Sequence, residues 1–114
     1  MNYQEILDYL KQFPDIWLDE VSQQGLILFK TSQLEKDKSS LYAVLEKDSQ
    51  PPRLSLKCDQ LLAEKLRQDY ETVLSAKNLN KKFWNTIICT GQVSDEDLKS
   101  LINLSFQLAN SSDE

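Results

Sequence analysis

The sequence predicts a small α+β domain of about five or six strands and three helices, and three observations carry that prediction. Asn78-Leu-Asn-Lys-Lys-Phe-Trp-Asn-Thr-Ile-Ile-Cys-Thr-Gly91 is a polar, basic turn feeding aromatic and β-branched residues that stop at one of only two glycines, which is how a hairpin strand is punctuated. Arg53 to Cys58 alternates strictly, with Arg53, Ser55 and Lys57 on one side and Leu54, Leu56 and Cys58 on the other. Three further stretches place apolar residues at one-face helical spacing behind a capping residue. At 114 residues the chain is the size of one compact domain with one core, spanning 1–114 with residues 110–114 as a frayed polar tail. With 40% hydrophobic and 27% charged residues it lacks the composition that keeps chains disordered.

The elements follow in order. Asn2 with Glu5 three positions later forms a capping signal, and Tyr3, Ile6, Leu7 and Leu10 define the apolar face of a helix over about Tyr3 to Gln12, ended by Phe13-Pro14. Asp15 to Val21 is short and committed to neither face, as an edge strand is. Leu26 to Lys30 is apolar on both faces and so belongs inside a sheet. The polar segment Thr31 to Ser40 is a hairpin tip, Leu41 to Glu46 the returning strand, and Pro51-Pro52 close it. Asp59 caps a second helix with Leu62, Ala63, Leu66 and Tyr70 inward and Glu64, Lys65, Arg67, Gln68 and Asp69 outward. Val73 to Lys77 is a short strand that turns through Asn78 to Lys82 into Phe83 to Thr90. Ser94-Asp-Glu-Asp97 opens the last helix, with acidic residues suited to the positive end of its dipole and Leu98, Leu101, Ile102, Ser105, Leu108 and Ala109 as its buried stripe.

Chemistry is bounded mainly by what is missing. With no histidine there is no Ser-His-Asp or Cys-His site and no imidazole-ligated metal, and general acid–base work near pH 7 loses its usual carrier. Cys58 and Cys89, 31 positions apart, form neither a CxxC pair nor a four-ligand zinc site, and read as two reduced, buried thiols. No enzyme activity, cofactor or metal is expected. Lacking a leader pattern or a long apolar run, the chain is expected in the cytoplasm with no membrane role. Net charge is −5, but residues 51–93 carry 7 Lys or Arg against 4 Asp or Glu while both flanking segments are acidic. The middle can bind an anion locally, whereas the field of the whole chain slows approach to nucleic acid.

Leu54-Ser-Leu-Lys-Cys-Asp59, Asn80-Lys-Lys-Phe-Trp-Asn-Thr86, Gly91-Gln-Val-Ser-Asp-Glu-Asp-Leu98 and Ser105-Phe-Gln-Leu108 together resemble the MmcQ/YjbR family of small bacterial proteins, with block order and spacing similar over nearly the whole chain except Asp15 to Ser40. The resemblance implies a CyaY-like fold, that of bacterial frataxin, with a twisted antiparallel sheet and three helices packed on one face. It also implies a double-wing arrangement and a DNA-binding label, and its motif positions here are Lys57, Cys58, Asp59, Asn80, Lys81, Trp84 and Thr86. Where the family usually has histidine this chain has Asn78 and Phe83, methionine is replaced by Leu79, and proline by Gln60 and Ser94, so any role of those histidines is lost.

Two functions of different class follow. In the first, a non-enzymatic module binds DNA weakly and salt-sensitively, with Arg53, Lys57, Lys77, Lys81 and Lys82 on phosphates and Trp84, Asn78 and Asn80 offering stacking or hydrogen bonds. Five such cations predict a log-log salt slope of about −3.5 to −4.5. In the second, the domain binds a protein or small ligand on an exposed sheet face or edge, with Trp17, Tyr42 and Trp84 sharing one exposed patch, and has no nucleic-acid role. The frataxin-like fold adds iron binding by Glu5, Asp8, Asp15, Asp19 and Glu20, which a fold by itself does not license.

Overall fold

The computed structural model describes residues 1–31, 40–77 and 79–110. The hairpin tip expected before Ser40, the turn residue Asn78 and the tail at 111–114 therefore lie outside the described residues. The elements are α1 (Tyr3–Lys11), β1 (Ile16–Val21), β2 (Leu26–Thr31), β3 (Ser40–Glu46), β4 (Arg53–Lys57), α2 (Gln60–Asp69), β5 (Val73–Ser75), β6 (Trp84–Ile88) and α3 (Asp95–Ala109). The six strands form one antiparallel sheet in the order β1-β2-β3-β4-β6-β5. After β4 the chain crosses through α2 to the far edge, and the hairpin back places β6 between β4 and β5.

Each helix starts where its capping residue says it should. The Glu5 backbone N–H donates to Asn2 Oδ1 at 2.8 Å and the Asn2 backbone N–H to Glu5 Oε1 at 2.8 Å, a complete capping box. Asp59 accepts from the Leu62 N–H at 2.9 Å and Ser94 from the Asp97 N–H at 3.2 Å. Chain reversals use left-handed backbone at Gly25 (φ 66°) and Gly91 (φ 100°), where glycine carries no Cβ penalty.

Strand alternation separates two faces. Leu54 and Leu56 of β4, Ala43 and Leu45 of β3, and Ile87 of β6 share the helix-covered face, as the cross-strand pairs Leu56↔Ala43, Leu54↔Leu45 and Leu54↔Ile87 require. Ile6 and Leu10 of α1, Leu98, Ile102, Phe106 and Ala109 of α3, and Ile27, Phe29 and Tyr42 of the sheet complete this core. Against this core the half-buried Phe13 stacks on Phe106 with centroids 4.2 Å apart, and Tyr42 meets Phe106 edge-on at 5.2 Å. Burial pushes the Tyr42 phenol far above its ordinary pKa, and its O–H donates to the Leu10 carbonyl at 2.7 Å. Ser105 ties α3 to two strands, donating to the Tyr42 carbonyl at 2.6 Å and accepting from the Lys57 backbone N–H at 2.9 Å.

Several expectations change in detail. The fifth strand stops at Ser75, because the Ala76 N–H still reaches the Trp84 carbonyl at 3.2 Å but the chain then turns at Lys77. In α3 the buried stripe includes Phe106, which the spacing did not pick, while Leu101 and Leu108 are half-buried. Of the inward residues expected in α2 only Ala63 is fully buried. Arg67, expected outward, is half-buried.

Candidate functional site

The other face of the sheet carries no helix. Its side chains fall into rows running across the strands, because paired residues point the same way. One row is Leu28, Val44, Ser55, Thr86 and Leu74, joined by the pairs Leu28↔Val44, Val44↔Ser55, Ser55↔Thr86 and Thr86↔Leu74. On one side of it lie Leu26, Glu46 and Arg53, and on the other Lys30 with Leu41 and Lys57 with Trp84. The row floors a cavity of about 540 Å³ whose apolar lining is Leu26, Leu28, Leu41, Val44, Leu74 and Leu79. Lys77, Arg53 and Glu46 stand at its margin.

Most polar side chains here are already paired. Ser55 Oγ and Thr86 Oγ1 share a hydrogen bond at 2.8 Å, and Arg53 Nε donates to Glu46 Oε2 at 2.9 Å. Val44 and Thr86 are buried although they face away from the helices. A volume of several hundred Å³, mostly apolar with a few fixed polar groups, is the usual description of a small-molecule site. A second, smaller groove of about 300 Å³ lies between α2 and α3, around Leu62, Leu66, Tyr70 and Leu101.

The residues proposed for phosphate contact are distributed unevenly. Arg53 and Lys77 line the same cavity, but the Arg53 charge is taken up by Glu46. Lys57 lies at the opposite end of β4, about 13 Å from Arg53 at the usual rise of about 3.3 Å per residue. The Cys58 N–H donates to the Phe83 carbonyl at 2.7 Å, which brings the Lys57 end of β4 beside the turn that carries Lys81 and Lys82. Those two lysines are exposed. Asn80 shapes that turn, its Oδ1 accepting from the Lys82 N–H at 3.1 Å and its carbonyl from the Trp84 N–H at 2.9 Å. Trp84 is 7% exposed and presents no open ring face on which a base could stack, and with Tyr42 buried in the core as well the expected exposed patch of Trp17, Tyr42 and Trp84 does not form.

One polar residue that sequence reasoning passed over holds this region in place. Asn85 is buried in β6, donating from Nδ2 to the Ala63 carbonyl at 3.1 Å and accepting from Arg67 Nη1 at 2.5 Å. Arg67 Nη1 also reaches the Lys81 carbonyl at 3.3 Å, so one guanidinium links α2, β6 and the basic turn. An asparagine inside an otherwise aromatic and β-branched strand was the available signal. The helix-free apolar face had a signal too, since Leu26, Leu28, Leu41 and Val44 make β2 and β3 apolar on both sides.

Nucleophile chemistry finds little support in the thiols. Cys58 is buried and Cys89 half-buried, both unbridged, and burial pushes each thiol up to about 11. Among the described residues no group of three Cys, Asp or Glu side chains is arranged to hold a metal ion. No helix, among the described residues, is long and apolar enough to cross a membrane.

Comparison with known proteins gives consistent matches. The family model described as YjbR matches residues 32–108. The protein called "Uncharacterized protein YjbR" in Escherichia coli strain K12 is 33% identical over 81 residues, covering 71% of this chain and 68% of that protein. A crystal structure of a Deinococcus radiodurans protein with a DUF419 domain superposes with a TM-score of 0.88 at 28% identity, covering 97% of this chain and 80% of the other. A Pseudomonas syringae protein is similar in its crystal structure, with a TM-score of 0.75 at 26% identity covering 96% of this chain and 99% of that one. In its solution structure the TM-score is 0.73 at 26% identity, covering 100% of this chain and 97% of the other.

Proposed function

This chain belongs to the YjbR family, and from that premise we propose that it is a non-catalytic binding domain whose helix-free sheet face receives a small amphipathic molecule. The observation that carries this reading is the cavity of about 540 Å³ on that face, in which six leucine and valine side chains surround polar groups partly paired with one another, Ser55 with Thr86 and Arg53 with Glu46. The protonated thiols and the missing imidazole support a role without covalent or acid–base chemistry. Two unbridged cysteines support a reducing, cytoplasmic setting.

The test is a thermal-shift screen of amphipathic small molecules against the wild type and Leu74→Glu. Leu74 is 43% exposed at the cavity edge, so a carboxylate there blocks the cavity while leaving the helix-covered core untouched. Hits that raise the melting temperature of the wild type and not of the folded variant support the reading. A screen without hits, or hits that Leu74→Glu leaves unchanged, contradicts it.

Weak binding to DNA is the second reading, and its specific support is three exposed lysines, Lys77, Lys81 and Lys82, close together in sequence between β5 and β6. Arg53 is held by Glu46, and counting these three lysines alone predicts a log-log salt slope of about −2.1 to −2.7. The net charge of −5 opposes such binding at long range.

A further inference from the structure

Resting on the reading of the helix-free face as a binding site, we propose that its occupant is a straight-chain carboxylate lying across the strands with its headgroup at Lys77. Three features select this chemistry. The first is direction. The floor runs from Leu28 on β2 to Leu74 on β5, crossing four inter-strand spacings or roughly 19 Å, and every strand beneath it is already hydrogen-bonded into the sheet. An added peptide strand therefore has no backbone edge to pair with in the middle of this surface.

The second feature is the state of the polar groups. Ser55 and Thr86 share one hydrogen bond and Arg53 Nε is paired with Glu46, so the two hydroxyls at the centre of the floor leave a single O–H for a ligand or water to meet. A sugar, nucleobase or peptide seated there would bury donors and acceptors without partners, which costs affinity steeply. A polymethylene chain has none to lose. The third feature is charge. Lys77 borders the cavity beside Leu79 at the β5 end, and it has no ion-pair partner among the described residues. One cation without an ion pair, at the end of a floor that carries Leu28, Val44 and Leu74, matches one anionic headgroup at the end of an apolar chain.

Titration calorimetry with octanoate, decanoate and dodecanoate, each below its critical micelle concentration, tests this against the alcohols of equal length. Affinity is expected to rise about fourfold per added methylene as apolar area is buried. Each carboxylate should bind the wild type roughly five- to tenfold more tightly than its alcohol. Lys77→Gln should erase that preference and Lys77→Arg should keep it, with circular dichroism unchanged in both.

Alcohols binding as tightly as carboxylates, or a preference that survives Lys77→Gln, would overturn the headgroup assignment and leave the cavity as a site for neutral amphiphiles. No binding by any chain length, combined with hits of another chemistry that Leu74→Glu abolishes, would overturn the carboxylate and keep the site. Silence from both series and from that screen would remove the binding reading itself.

Discussion

Asn85 shows how much one side chain can organise. Both ends of its carboxamide are engaged, with Nδ2 on the Ala63 carbonyl and Oδ1 under Arg67, in a strand whose other residues are apolar or hydroxylated. Replacing it by alanine strands a buried carbonyl and a half-buried guanidinium together. Asn85→Ala is expected to lower stability by about 2–3 kcal/mol in urea denaturation. A double-mutant cycle with Arg67→Ala should return a coupling energy of about 1–2 kcal/mol, whereas additive effects would mean that the pair does not act together. Sequence reading placed Arg67 outside because charged residues usually sit there, and the partner that draws it inward lies 18 positions away.

The thiols give a second prediction at this scale. In the folded protein burial keeps Cys58 and Cys89 protonated up to about pH 11, whereas in the unfolded chain a thiol releases its proton near 8.5. The unfolded state therefore binds fewer protons over that window, and stability falls as pH rises from about 8.5 to 11. Urea midpoints at pH 7, 9 and 10.5 should decline less steeply for the Cys58→Ala/Cys89→Ala double variant than for the wild type. Parallel profiles would contradict the assignment.

At the scale of elements, much of the molecule was legible. The signals at Asn2, Asp59 and Ser94 each mark a real helix start, because capping is settled by residues three positions apart and needs no tertiary information. Asn2→Ala is expected to cost about 1 kcal/mol by unmaking both bonds of its box. The alternation of Arg53 to Lys57 reappears in the burial pattern of β4, for the same local reason. What spacing could not give was the width of the α3 contact. Phe106 is buried because Phe13, beyond the end of α1, closes over it and Tyr42 meets its edge, and neither neighbour is visible from the helix alone. Phe106→Ala should cost about 3–5 kcal/mol with an unchanged urea m-value, as expected for a cavity in an otherwise intact core.

For the whole molecule, the α+β architecture with three helices on one side of a six-stranded sheet agrees with what the sequence and the family resemblance implied. Reading charge along the chain placed a basic zone in the middle third, but distance along the chain is not distance on the surface. Glu46 comes from an acidic stretch of sequence and lands on Arg53, while Lys57 and Lys77 project from different strands and their ends. The cavity was less legible still. Its lining combines side chains from five strands and two turns, and the apolar residues of β2 and β3 that face it look in sequence like ordinary core.

Amide shift mapping of the wild-type protein with dodecanoate addresses the central claim, that the helix-free sheet face is a ligand site, more directly than any affinity. Perturbations concentrated at Leu28, Val44, Ser55, Thr86 and Leu74, with Ile6, Ile102 and Phe106 still, are the result this account predicts. Perturbations gathered instead around Leu62, Leu66 and Leu101 in the groove between α2 and α3, or spread evenly over both faces, would contradict it.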